Sequence, residues 1–227
     1  MASTYTRLTL LSLVNQAIGQ TDLSSVTDDY LNFGMYRVAR SHNWRILQAE
    51  AEVTVASASM SGAFPTTSTS GATIAVKSIM SARIGATSAV HHIAWIPSSR
   101  FDLLYPDAAN ETTGRPKYAC DWNRIVRWYP KADAAYVMKL RINCWPQPMT
   151  ADASGFRFDD WCADAVVAAC VVETFMATNQ HDKATAWLQI FKDKIGAAAA
   201  ADAMSILPTI MVNVPPQAEP GVNPAGA

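Results

Sequence analysis

Between Gly114 and Pro148 the chain reads GRPKYACDWNRIVRWYPKADAAYVMKLRINCWPQP, and its two-residue alternation constrains the fold more than any other stretch. Tyr118, Cys120 and Trp122 alternate with Lys117, Ala119 and Asp121, the period of a strand with one buried face. Asn123 enters left-handed backbone space at little cost, so Trp122-Asn123-Arg124 predicts a turn. A second strand follows from Ile125 to Tyr129. Pro130-Lys131-Ala132-Asp133 turns the chain again, because proline presets φ and has no N–H for a ladder. In the third strand Met138, Leu140, Ile142 and Cys144 face away from Lys139, Arg141 and Asn143. The expectation is a three-stranded antiparallel meander with one wet face.

Helical periods flank this stretch. Leu10, Leu11, Val14, Ala17 and Ile18 recur on one helical stripe that stops at Gly19, a natural C-cap residue. Ser25 and Asp28 resemble a capping box for a second helix running toward Trp44. A strand pattern appears from Ala49 to Ala56 and again from Ile74 to Ile84 and Ile93 to Ile96. Ser57 to Ala72 is rich in Ser, Thr, Gly and Ala, which offer little to bury, and reads as a flexible loop or hairpin tip. Ser98-Ser99 is placed to cap a short helix through Phe101 and Leu104. Phe158-Asp159-Asp160 reads as an acid-capped helix start, followed by a stripe through Trp161, Ala165, Val172 and Phe175. Beyond Asn179, Ala184, Trp187, Leu188, Phe191 and Ile195 mark a last helix running into Ala197 to Ala201.

The fold class expected is α+β: an α-helical bundle of two N-terminal and two C-terminal helices, an inserted antiparallel β region, and an extended C-terminal arm. The boundaries are 1–48 and 149–202 for the two helix pairs, 49–148 for the insertion and 203–227 for the arm. The arm holds five of the twelve prolines, with Glu219 its sole charge. Its segment Ile206, Leu207, Pro208, Ile210, Met211, Val212 and Val214 is nevertheless apolar. Each large aliphatic side chain gains about 1.5–3 kcal/mol on burial, so this segment is suited to anchoring on a partner.

Hydrophobic residues are 50 % of the chain and charged residues 16 %, which excludes wholesale disorder. A net charge of −1 gives no global pull toward nucleic acid or anionic membranes. No run approaches the roughly 20 apolar residues of a membrane helix, and Arg7 followed by LTLLSLV lacks the cleavage site of a signal peptide. A soluble protein made in a cytoplasm is expected. Within the meander Arg115, Lys117, Arg124, Arg127, Lys131, Lys139 and Arg141 outnumber Asp121 and Asp133. With aromatic residues interleaved, Arg115, Lys117, Arg124, Arg127, Lys139 and Arg141 form a candidate DNA-channel or inter-subunit face, set against the plainer reading of a solvated sheet face.

Catalytic signals are thin. His91-His92 point to opposite faces of a strand and lack partners at ligand spacing, so no metal site is expected. Cys162 and Cys170 with His181 form a conceivable nucleophilic pair, but cysteines in an Ala/Val stripe read as core, as do Cys120 and Cys144. Asp28-Asp29 and Asp159-Asp160 sit where capping explains them. No phosphate loop or nucleophile elbow occurs, and no cofactor is expected.

The Gly114, Pro116, Tyr118 entry, the Trp128-Tyr129-Pro130 strand end, Asp133, Tyr136 and the Trp145-Pro146 link together resemble the head-to-tail adaptor (connector) proteins of tailed bacteriophages. The resemblance spans about Leu8 to Ala203. It implies a noncatalytic virion protein at the neck that forms a twelvefold ring beneath the portal, extends the DNA channel and offers a platform to downstream tail or nozzle proteins. DNA would pass without sequence-specific binding, and no membrane is involved. Ile206 to Val214 occupies the position of the family's portal-docking arm. Ser57 to Ala72 and the Pro-rich end after Pro215 depart from the pattern. The alternatives are another neck or tail-completion (stopper) protein, and a small cytoplasmic hydrolase.

Overall fold

The computed structural model describes residues 4–19, 24–85, 90–106 and 113–204. It is a mixed α+β chain with five helices and a large, mostly antiparallel sheet. Four helices share one core: α1 (Arg7–Ile18), α2 (Ser24–Ser41), α4 (Ala163–Ala177) and α5 (His181–Met204). Thr6 and Thr9 cap α1 reciprocally, and Gly19 closes it at φ 66°, its N–H donating to the Asn15 carbonyl at 3.0 Å. Helix α4 is apolar nearly all round and lies against α1, α2 and α5, as a central helix must. Asn179, at φ 58°, reverses the chain between α4 and α5.

The start of α4 departs from the sequence expectation. Asp160–Cys162 form a 3₁₀ turn and the Asp159 side chain makes no capping bond. The Asp160 carboxylate instead accepts from the Thr4 N–H at 3.3 Å and the Thr4 hydroxyl at 2.8 Å. A distant N-terminal donor has taken the acid that the local pattern assigned to a cap.

The second core belongs to a seven-stranded sheet in the order β1-β9-β3-β4-β6-β7-β2. Its strands are β1 (Gln48–Val55), β2 (Ser61–Ala63), β3 (Ala75–Ile84), β4 (His91–Trp95), β6 (Tyr118–Trp122), β7 (Ile125–Tyr129) and β9 (Tyr136–Trp145). Two short strands, β5 (Thr113–Gly114) and β8 (Lys131–Ala132), pair separately. The β6–β7 hairpin forms as expected, with Asn123 at φ 50° and Arg124 at φ 63° in its turn. Its third strand does not. β9 leaves β7 and enters between β1 and β3, because a ten-residue strand finds partners of eight and ten residues there and only five residues in β7. The insertion also contains parallel pairs, β4–β6 and β5–β8. Helix α3 (Ser98–Leu104) supplies the crossover between β4 and β6, the connection a parallel pair requires.

Ser57 to Ala72 is built into the sheet rather than left as a loop. β2 pairs with β7, and the backbone and indole N–H groups of Trp128 donate at 2.9 Å to the carbonyls of Met60 and Ser59. The Ser68 hydroxyl accepts from Ala72 N–H at 3.1 Å and closes a turn around Gly71, φ 83°. A Cβ on Gly62 would lie 3.1 Å from the Thr54 carbonyl and from Val53, so the sheet curls until its last strand touches its first.

Polar contacts tie α2 to β3 and to the link that follows β9. Lys77 Nζ donates to the carbonyls of Ala39 (2.6 Å) and His42 (3.0 Å) and to Asn43 Oδ1 (3.2 Å), satisfying the C-terminal end of α2 with a cation. Asn32 exchanges two hydrogen bonds with the Met149 backbone at 2.8 and 3.2 Å.

Candidate interaction surfaces

The end of α5 is fixed by a buried acid. Asp202 is 3 % exposed; its carboxylate lies 3.3 Å from His42 Nε2 and 3.7 Å from Arg45 Nε. The arm residues Ile206, Leu207, Pro208, Ile210, Met211, Val212 and Val214 follow directly and lie outside the described residues.

A cleft of about 640 Å³ opens beside this point, between the start of β1, the start of β3 and the 155–161 segment. Ile46, Ile74, Trp145, Pro146, Phe156 and Trp161 give it an apolar wall. Ile46 and Trp161 remain 47 % and 44 % exposed, so the wall presents large apolar faces to solvent. Asp159 also lines the cleft; burial, and then the nearby Asp202 charge, push its carboxyl above the ordinary value. No local periodicity announces this cleft, because its wall comes from four separated segments, and Trp161 reads in sequence as part of a core stripe.

The six basic residues singled out in the sequence fall into two groups. Lys139 and Arg141 stand on the exposed face of β9 opposite Glu52 and Glu50 of β1. Lys139 pairs with Glu52 at 3.6 Å, and Glu50 takes Arg83 of β3 at 3.2 Å. Arg115, Lys117, Arg124 and Arg127 belong to the β5–β7 end. There Arg127 pairs with Asp102 at 2.9 Å and lies over the Phe101 and Trp122 rings. Arg115 covers Tyr136 and Arg124 covers Phe64. The basic excess counted within the meander is thus offset in part by Glu52 and Asp102 from outside it.

All four cysteines are buried, and none is in a disulfide. Burial pushes the Cys120 thiol up to about 11 and the Cys162 thiol up to about 12, the reverse of what a nucleophilic thiolate needs. His91 and His92 are exposed on β4. Among the described residues no three His, Cys, Asp or Glu side chains gather as metal ligands, and no helix is long and apolar enough to cross a membrane.

No curated protein matches the chain. A protein-family model described as SU10 adaptor protein matches residues 5–212, from the capped start of α1 through both cores and into the apolar arm, stopping short of the Pro-rich end. The match covers nearly the whole chain, which therefore belongs to the SU10 adaptor protein family, a family of phage head-to-tail adaptors.

Proposed function

We propose that the protein acts in the virion neck as a ring-forming adaptor beneath the portal, extending the DNA channel and presenting a docking platform for downstream tail or nozzle proteins. The observation that carries this reading is the reach of the family match to residue 212, which takes in the apolar arm along with the folded body. In this reading the four helices act as the rigid body of a bundle, about twelve copies close the ring as the family resemblance implies, and DNA passes without sequence-specific binding. Ile206, Leu207, Ile210 and Met211 are the arm's anchors on the portal. The role is noncatalytic, a reading supported by the protonated, buried thiols of Cys120 and Cys162.

Mass measurement of the purified protein alone and after mixing with portal tests the proposal. The expected result is a multi-copy complex on the portal, lost when Ile206, Leu207, Ile210 and Met211 are all replaced by Ser. A protein that stays monomeric in both samples overturns the ring reading. Undiminished binding by the Ser variant overturns the arm assignment. Binding to a tail component without portal contact would favour a stopper instead.

A further inference from the structure

The cleft and the end of α5 face the same question: what covers an apolar wall that a single chain leaves open? The geometry points to the chain's own arm. We infer that in the free protein residues 206–212 seat in the cleft formed by β1, β3 and the 155–161 segment, and that the arm reaches a partner only by leaving it.

Three observations on different parts of the molecule converge. Asp202 holds the last turn of α5 to His42 and Arg45, and Arg45 precedes Ile46, which stands in the cleft wall. The described chain therefore ends at the rim. From Met204 to Ile210 is six residues, which span up to about 20 Å when extended, enough to cross a cleft of about 640 Å³. The chemistry also matches. Ile206 to Val214 carries no charge, and the wall offers the exposed faces of Ile46 and Trp161. Pro208 bars the arm from a helix but not from an extended path, and Gln48 and Ala49, the first residues of β1, line the cleft. Finally, the family match includes residues up to 212 and drops the Pro-rich remainder, so the matched part of the arm coincides with the part that the cleft suits.

That the arm must leave the cleft to dock rests on the portal reading above; that it seats there does not. A disulfide trap separates the two. In a Cys144→Ala background, because Cys144 also lines the cleft, Ile46→Cys is combined with Ile210→Cys in the full chain. Ile46 is half exposed, so the change leaves the cores intact, and the deeply buried thiols of Cys120 and Cys162 stay out of the reaction. The control pairs Ile210→Cys with His92→Cys on the exposed end of β4. Mild oxidation at low protein concentration should close an intrachain bond at monomer mass at least tenfold faster in the Ile46 pair than in the control. Equal rates in the two pairs overturn the inference. A bond that forms between chains also overturns it and assigns the cleft to a second copy's arm. The oxidised, closed form should then bind portal at least tenfold more weakly, with full recovery on reduction. Unchanged binding by the closed form overturns the claim that the arm leaves. If the trap closes but the unmodified protein never binds portal, the portal reading fails and the seat stands.

Discussion

The seam between α2 and α4 and the core of the sheet are packed on opposite principles. Where α2 meets α4, Gly34 lies against the α4 backbone: a Cβ there would stand 2.9 Å from the Cys170 nitrogen and 3.1 Å from the Val166 carbonyl oxygen. Around it Ala163, Ala165, Ala168 and Ala169 are buried, so the helices approach almost backbone to backbone. The sheet core is filled by large side chains, Trp128, Met138, Leu140 and Ile142, each no more than 1 % exposed. Both exclude water, but one has no room to fill and the other depends on being filled. Close-packed interiors respond to volume changes of either sign, so the α2–α4 seam should fail by addition and the sheet core by removal.

Trp128→Ala is the larger test. The indole is fully buried, and its N–H is bonded to the Ser59 carbonyl at 2.9 Å. Removing it should cost about 4 kcal/mol and free the 59–63 segment, since the same side chain supports β2. Urea unfolding reads the first effect, and hydrogen exchange at Ser61 to Ala63 the second. A loss under about 1 kcal/mol would mean that the sheet core collapses around the void and that the contrast between the two cores is false.

Gly34→Ala tests the other half. In an exposed helix interior this change gains up to about 1 kcal/mol from helix propensity. Here the new methyl meets backbone atoms of α4 that cannot step aside, and overpacking should outweigh that gain to leave a net loss of about 2 kcal/mol. A stabilised variant in thermal unfolding would show that α2 and α4 can separate freely and that small-residue packing does not fix their spacing.

The same contrast explains what the sequence discloses. The stripe Leu10, Leu11, Val14, Ile18 with Gly19 behind it is a local signal, since every contact that defines the helix lies within four residues, and α1 follows it. Asn123 likewise announces the β6–β7 turn. The partners of β9 are not local. Met138, Leu140 and Ile142 alternate equally well beside β7 or between β1 and β3, and only strand length decides. Ser57 to Ala72 looked structureless because its side chains are small, yet its order comes from carbonyls that Trp128 finds from 69 residues away. Of the candidate surfaces, Ile206 to Val214 stands out in sequence because apolar residues occur where proline forbids a helix, and it lies outside the described residues, whereas the cleft near the end of α5 draws on four distant segments and leaves no pattern. A charge count within the meander alone likewise leaves out Glu52 and Asp102, which pair with Lys139 and Arg127 from other segments.

The smallest predicted effect concerns the joint between the two cores. Lys77 carries a cation into a half-buried position to bond Ala39, His42 and Asn43 at the end of α2. Burial pulls its pKa below 10.5, so charging it carries a cost that the three acceptors offset only in part. Lys77→Met keeps an apolar stem of similar length and removes the donors together with the ammonium's contact over the Trp145 ring, for a net loss of about 1 kcal/mol at neutral pH. The pH dependence separates this from a loss of packing alone. Because the folded-state pKa is lowered, the unfolded chain binds more protons between that value and 10.5, so this residue's contribution to stability rises with pH through that window. The wild-type protein should therefore gain stability relative to the Met variant as pH is raised from neutral toward 10.5, in urea titrations run in parallel. A constant gap would mean that the Lys77 charge is not felt by the fold, and the link between α2 and β3 would then rest on shape rather than on the ammonium group.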